Sequence, residues 1–220
     1  MNFRVFATIL LLAVGLNGPA AAGIAASATQ VHPLLIGSAI PATTLADIDG
    51  KSVPLRAALR GKYTLLVFYR GGWCPYCNLE LSNLRLIEAD LKKLGVQVVA
   101  VTPDRPAELR KTLDKNALTY TLLSDTGAAT MRAFGVAFRV DAATTKKYVG
   151  FGLDLDAASG STHHALPVPA VFLVDPAGKI RFQYVNPDHE VRAPHTVVLA
   201  AVKAARGEDA KRAAAKAKDK

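Results

Sequence analysis

Cysteine is almost absent from this chain, at two residues in 220. Both fall in one run, Cys74-Pro75-Tyr76-Cys77. That excludes a framework of several disulfides, and it excludes a structural zinc site, which takes four ligands and would need a second Cys-x-x-Cys. Long apolar runs are also missing beyond the N-terminus, so no later stretch is long enough to cross a membrane as a helix. There is no internal repeat and no basic helix interleaved with aromatics. The net charge of +9 belongs partly to the N-terminal segment and to the Ala/Lys tail. It reads as solubility or loose association with anionic surfaces, not as nucleic-acid binding.

What is present begins with Met1-Asn2-Phe3-Arg4, an apolar run from Val5 to Leu16, and then Gly18-Pro19-Ala20-Ala21-Ala22. One positive charge, an apolar core too short to span a bilayer and an Ala-x-Ala site predict a secretory signal peptide over residues 1–22, leaving no stable membrane span after cleavage. An uncleaved anchor is the competing reading. No cysteine follows the run, so a lipoprotein-type acyl chain has no attachment point. The expected location is periplasmic or secreted. Residues 23–36 are expected as a flexible mature N-terminus, 37–206 as one domain and 207–220 as a frayed or weakly helical tail without chemistry.

The two cysteines stand where an apolar strand gives way to a helix. Tyr63 to Tyr69 is β-branched and aromatic, Arg70-Gly71-Gly72-Trp73 is a glycine-loosened turn, and Leu84, Ile87, Leu91 and Leu94 then recur at helical spacing until Gly95. Pro75 suits the first turn of that helix, so both sulfurs lie near its N-terminus. There the unpaired N–H groups and the dipole favour a thiolate, the nucleophilic form. Two intervening residues also let the sulfurs close a small ring, which makes a dithiol cycling with its disulfide the natural chemistry. A purely structural disulfide would restrain only a four-residue loop, and a pair of inert buried thiols would not need the start of a helix.

Along the body, strands and helices alternate. Val96 to Val101 reads as a strand. Asp104 is expected to cap a helix with Pro106 in its first turn, running to about Asn116. A strand at Tyr120–Leu123, a short helix over Thr126–Phe134 ended by Gly135, and a hairpin of Val171–Val174 with Ile180–Val185 turned by Asp175-Pro176-Ala177-Gly178 follow. A last helix spans about Pro194 to Arg206. Together these predict an α/β fold, a central mixed sheet flanked by helices, and Cys-x-x-Cys beside such a pattern reads as thioredoxin-like.

With these residues laid out, the chain resembles the peroxiredoxin-like branch of the alkyl hydroperoxide reductase/thiol-specific antioxidant (AhpC/TSA) superfamily over roughly residues 37 to 185. The segments that carry the likeness are Ile40-Pro41 with Leu45 to Lys51, an N-terminal hairpin extension, then Gly61-Lys62, Ala100 to Asp104, Leu122 to Asp125, Phe134-Gly135-Val136 and Val174 to Ile180. The resemblance implies a thioredoxin-like fold and a thiol-dependent peroxidase. In that family a threonine lies three residues before the peroxide-attacking cysteine and a glutamate three after it, with an arginine far downstream. On this register Cys77 attacks and Glu80 is the glutamate, Cys74 replaces the threonine, and Pro169 occupies the arginine position. Arg70 either supplies the missing positive charge or is a solvated turn residue.

The thioredoxin side of the superfamily implies a different assignment. There Cys74 attacks a protein disulfide, Cys77 resolves, and a cis-proline stands at Val168-Pro169, unless Pro167 and Pro169 are plain loop residues. A third reading takes His163 and His164, in the insertion around Ala157 to Thr162, with the two thiolates as a copper carrier. The main expectation is an exported peroxiredoxin-like enzyme, with no cofactor and no metal, that cycles Cys74 and Cys77 with Glu80, Arg70, Trp73, Pro75 and Pro169 in support. Its substrate would be a hydroperoxide, or a protein disulfide in the alternative. An extracytoplasmic thiol reductant, thioredoxin-like or a membrane relay, would return the electrons.

Overall fold

The computed structural model describes residues 23–218; the expected signal segment lies outside them. A hairpin of β1 (Thr44–Ala46) and β2 (Ser52–Pro54) leads through α1 (Leu55–Leu59) into β3 (Tyr63–Phe68). Then come α2 (Pro75–Lys93), β4 (Val96–Thr102), α3 (Pro106–Asn116), β5 (Thr121–Ser124) and α4 (Ala129–Ala133). β6 (Ala137–Arg139), α5 (Ala142–Gly150), α6 (Leu155–Ser159) and β7 (Ala165–Pro167) form an excursion before β8 (Ala170–Val174), β9 (Ile180–Val185) and α7 (His195–Lys218). The main sheet has seven strands in the order β2-β1-β5-β4-β3-β8-β9, and β6 pairs with β7 separately. β3 runs parallel to β4 and antiparallel to β8, so the sheet is mixed, as expected.

Every residue of β3 is buried because both faces of the sheet are covered. Leu66 and Phe68 join Val99, Val101, Phe172 and Phe134 on the face under α1 and α4. Leu65 and Val67 join Val98, Ala100, Val171 and Leu173 on the face under α2, α3 and α7. The period of two along each strand thus divides one apolar run between two cores. The Phe68 ring meets Phe134 at 5.0 Å and Phe172 at 5.9 Å between centroids.

Three expectations are corrected. Residues 23–36 are not a loose leader: Ala25 bridges Phe138, Leu34 N donates to Phe134 O, and Ile24, Ala28, Val31 and Leu34 pack on the core. A Cβ on Gly135, which has φ +69°, would lie 1.9 Å from the His32 carbonyl oxygen, so this leader is seated where only glycine fits. Asp104 does not cap α3. Its carboxylate turns away to accept Gly72 N at 2.7 Å, and Arg105 is the N-cap residue.

Among the described residues no peptide bond is cis, so Val168–Pro169 is trans. Val168 N donates to Val136 O and Pro169 O accepts from Asn186 N, which carries the chain extended from β7 into β8. Of the tail expected as frayed or weakly helical, residues 207–218 continue α7. Tyr63 hydroxyl donates to Asp209, and Arg181 binds Asp209 at 2.8 Å and Glu208 at 3.0 Å, so the helix is fastened to the starts of β3 and β9.

Candidate active site

The turn that follows β3 delivers the two cysteines to the N-terminus of α2. Cys74 is the N-cap residue and Pro75 the first helical residue, where a missing N–H costs nothing. The turn is held tightly: Gly72 N donates to Asp104, Asn78 Nδ2 donates to Gly72 O, and a Cβ on Gly72 would lie 1.9 Å from Thr112 Oγ1. Both cysteines are free thiols and almost fully buried, at 1 % exposure for Cys74 and 0 % for Cys77. The two thiols shift each other's ionisation, and both face Arg192.

That mutual influence divides the charge. The neighbouring Cys77 thiol draws Cys74 down to about 6, against the pull of burial and with help from the Cys77 backbone N–H, Arg70 and Arg192. Burial pushes Cys77 up, and the Cys74 anion adds to it. At neutral pH the pair therefore holds one negative charge and one proton, with the charge on Cys74.

Arg192, from the loop between β9 and α7, closes over the pair. Its Nη2 lies 3.3 Å from Cys77 Sγ and 3.9 Å from Cys74 Sγ. Nη1 lies 3.6 Å from Glu80 Oε2, too long for a hydrogen bond. Glu80 is itself buried, and burial lifts its carboxyl to about 7 despite the nearby guanidinium. The same loop is set against α2 by His189, edge-on to Tyr76 at 5.7 Å.

Arg70 is not a solvated turn residue. It is buried, donates to the Tyr148 hydroxyl of α5, and lies 5.2 Å over the Trp73 ring and 5.6 Å over that of Tyr148. Burial raises the Asp104 carboxyl, which accepts Gly72 N, to about 7. Pro169 is buried one register step beyond the Phe68–Ala170 pair, at the same sheet end as the cysteine turn. A groove of about 420 Å³ runs beside Trp73, between α3 at Arg105 and Lys111 and the Leu153–Asp154 turn; neither sulfur lines it.

His163 is engaged elsewhere. One ring nitrogen meets Thr126 O and the other accepts Ala165 N, while His164 contacts Asp156. Among the described residues no cluster of three or more His, Cys, Asp or Glu side chains is arranged to hold a metal ion.

Residues 36–183 match the AhpC/TSA family. The chain belongs to the AhpC/TSA family. Within it, the chain is 31% identical to peroxiredoxin Bcp of Escherichia coli K12 over 169 residues, which cover 77% of this chain and 96% of that protein. A putative peroxiredoxin Bcp of Haemophilus influenzae is 36% identical over 106 residues, 48% of this chain and 68% of the relative. Among solved structures, peroxidoxin BcpB of Mycobacterium tuberculosis superposes with a TM-score of 0.61 at 19% identity, covering 77% of this chain and 96% of the other. AhpC of Enterococcus faecalis also gives 0.61, at 20% identity, covering 78% and 92%. The AhpC/TSA chain thus has the thioredoxin-like fold and is a thiol-dependent peroxidase of peroxiredoxin type.

Sequence reasoning placed Cys74, Cys77, Glu80 and Trp73 together, and the structure does the same. It missed Arg192 and Tyr148 and misread Asp104. Arg192 is 115 positions from Cys77 in an irregular loop, where neither periodicity nor motif marks an arginine as a partner of the sulfurs.

Proposed function

We propose that this AhpC/TSA protein is an exported enzyme that reduces hydroperoxides through attack by Cys77 and an internal Cys74–Cys77 disulfide. The observation that carries the reading is the Arg192 guanidinium 3.3 Å from Cys77 Sγ, at the N-terminus of α2. It supplies the cation that Pro169 does not. The resting charge is on Cys74, so the reacting form arises when the shared proton crosses from Cys77 to Cys74 and Arg192 stabilises the Cys77 thiolate. That thiolate attacks the peroxide, the O–O bond breaks, and the Cys74 thiol gives its proton to the departing alkoxide. The Cys74 thiolate so formed then condenses with the Cys77 sulfenic acid. A cysteine at the family's threonine position thus acts first as acid and then as resolving nucleophile.

The low position of Cys74 favours one second reading, in which Cys74 attacks the peroxide and Cys77 resolves. Mixing each single Cys→Ser variant with a stoichiometric hydroperoxide under anaerobic conditions separates the two. Mass spectrometry is expected to find a sulfenic acid on Cys77 in Cys74→Ser; a sulfenic acid on Cys74 in Cys77→Ser, with Cys74→Ser inert, reverses the roles.

Export is supported by the pattern of residues 1–22, and it calls for a reductant outside the cytoplasm, since an oxidising compartment returns no electrons to a disulfide. N-terminal sequencing of the secreted protein is expected to begin just after Ala22. Recovery of the intact N-terminus from the cytoplasm refutes export and leaves the peroxidase reading in place.

A further inference from the structure

One guanidinium faces two acids at this site. Arg192 presents Nη2 to both sulfurs and Nη1 to Glu80 Oε2. Glu80 Oε2 accepts no hydrogen bond, and Arg192 Nε and Nη1 donate none, although all three atoms are buried. A buried charge without a counter-ion is strongly unfavourable, and one cation offsets one anion. In the reduced protein the sulfurs supply that anion. A disulfide is neutral, so oxidation removes it.

We propose that Glu80 is the proton store of the redox cycle: its carboxyl is protonated while the reduced pair holds a thiolate against Arg192, and it ionises to become the counter-ion of Arg192 when the disulfide forms. The inference rests on the Cys74–Cys77 cycle of the proposed function but not on which sulfur attacks first. In the resolving step, written with Cys74 resolving, its thiolate attacks Cys77 Sγ, the S–S bond forms, and the S–O bond of the sulfenic acid breaks. The departing hydroxide takes the Glu80 proton and leaves as water. Cys74 gives up the electron pair of the new bond and the oxygen leaves with the pair of the old one, so Cys77 is reduced as Cys74 is oxidised. When an external dithiol reduces the disulfide, two electrons and two protons return; one proton goes to a thiol and the other to Glu80. Arg192, Glu80 and the sulfurs together are neutral in both states.

The groups that act on Glu80 are few. Cys74 and Cys77 stand at the start of its own helix, Arg192 faces it from the loop before α7, and Tyr120 acts on it from the residue before β5. Arg70 and Asp104 act on Cys74 in turn. Of these, only the Cys74–Cys77 pair changes charge with oxidation.

The test is the midpoint potential of the pair, poised against a dithiol/disulfide buffer and read by Trp73 fluorescence across pH. Between the Cys74 and Glu80 positions, at about 6 and about 7, the unmodified protein is expected to take up two protons per two electrons. Its reduction equilibrium then changes roughly a hundredfold per pH unit, about 59 mV. Glu80→Gln is expected to take up one proton over the same interval, changing roughly tenfold, about 30 mV. Identical slopes in the two proteins overturn the proposal. If Glu80→Gln does not fold, redox-induced infrared difference spectra of the unmodified protein decide it. A protonated-carboxyl band present in the reduced state, lost on oxidation and retained in Asp104→Asn, supports the assignment; its absence overturns it. Failure to form any Cys74–Cys77 disulfide overturns the proposed cycle and this inference together, whereas a disulfide with equal slopes overturns only the inference.

Discussion

At the residue scale, Arg192 helps hold the charge on the sulfurs from a loop 115 positions beyond Cys77. Removing its charge in Arg192→Met is expected to slow oxidation by hydroperoxide by about two orders of magnitude, the usual cost of losing one donor aimed at developing charge. The same change is expected to lift the Cys74 thiol above its present position of about 6, because Arg192 is one of the groups that lower it. Stopped-flow Trp73 fluorescence and thiolate absorbance read the two effects; an unchanged rate with an unchanged thiol would remove Arg192 from the chemistry. Arg70 acts on Cys74 at least as strongly, through its field, although its guanidinium is packed on Trp73 and Tyr148. Arg70→Met is therefore expected to raise the Cys74 position at least as much as Arg192→Met does; a thiolate titration in which Arg70→Met leaves Cys74 unmoved would remove Arg70 from the site's electrostatics.

At the scale of elements, the cysteine turn is only as precise as its packing on α3. Gly72→Ala places a methyl group against Thr112 Oγ1 and is expected to cost about 1–3 kcal/mol as overpacking. Thr112→Ala in the same chain is expected to recover part of that loss, and urea unfolding of both variants measures it. A Gly72→Ala protein as stable as the parent would mean that the turn can shift. Much of this scale was legible in the sequence. Each central strand and the helix carrying the cysteines announced itself by a local period, and Cys74, Cys77 and Glu80 lie within two turns of one helix. What was illegible depends on contacts that sequence spacing does not encode. Asp104 has a good capping residue's chemistry and a cap's position, yet the Gly72 N–H was the competing donor and won. Arg70 reads as a turn arginine until Tyr148, 78 positions away, is brought against it. The N-terminal leader shows no periodicity because it is held by backbone pairing with residues near 134–139.

For the whole molecule, the buried acids and the thiolate give stability a definite dependence on pH. Burial raises Glu80 and Asp104 to about 7 and Asp125 to about 6. Between the ordinary carboxyl range and those values the native state holds protons that the unfolded chain has released, so these groups make stability fall as pH rises. Cys74 has the opposite sign: from about 6 upward it is ionised in the native state while the unfolded thiol remains protonated, so its contribution grows with pH. Reduced protein is expected to lose stability from about pH 4.5 to about 6 and to recover some from about 7 to about 8, each group contributing at most about 1.4 kcal/mol per pH unit. Denaturant midpoints across pH test this. Cys74→Ser should abolish the recovery, and a curve that keeps it would place the thiolate elsewhere. The long final helix joins these scales. Arg192 lies three residues before α7, and Asp209 clamps the same helix to Tyr63 and Arg181 at the far end of β3. Fourteen helical steps carry the chain from His195 to that clamp, roughly 21 Å, and Val198, Val202 and Ala205 seat the helix on the core along the way. The register of this one helix along the sheet therefore sets where the cation meets the sulfurs.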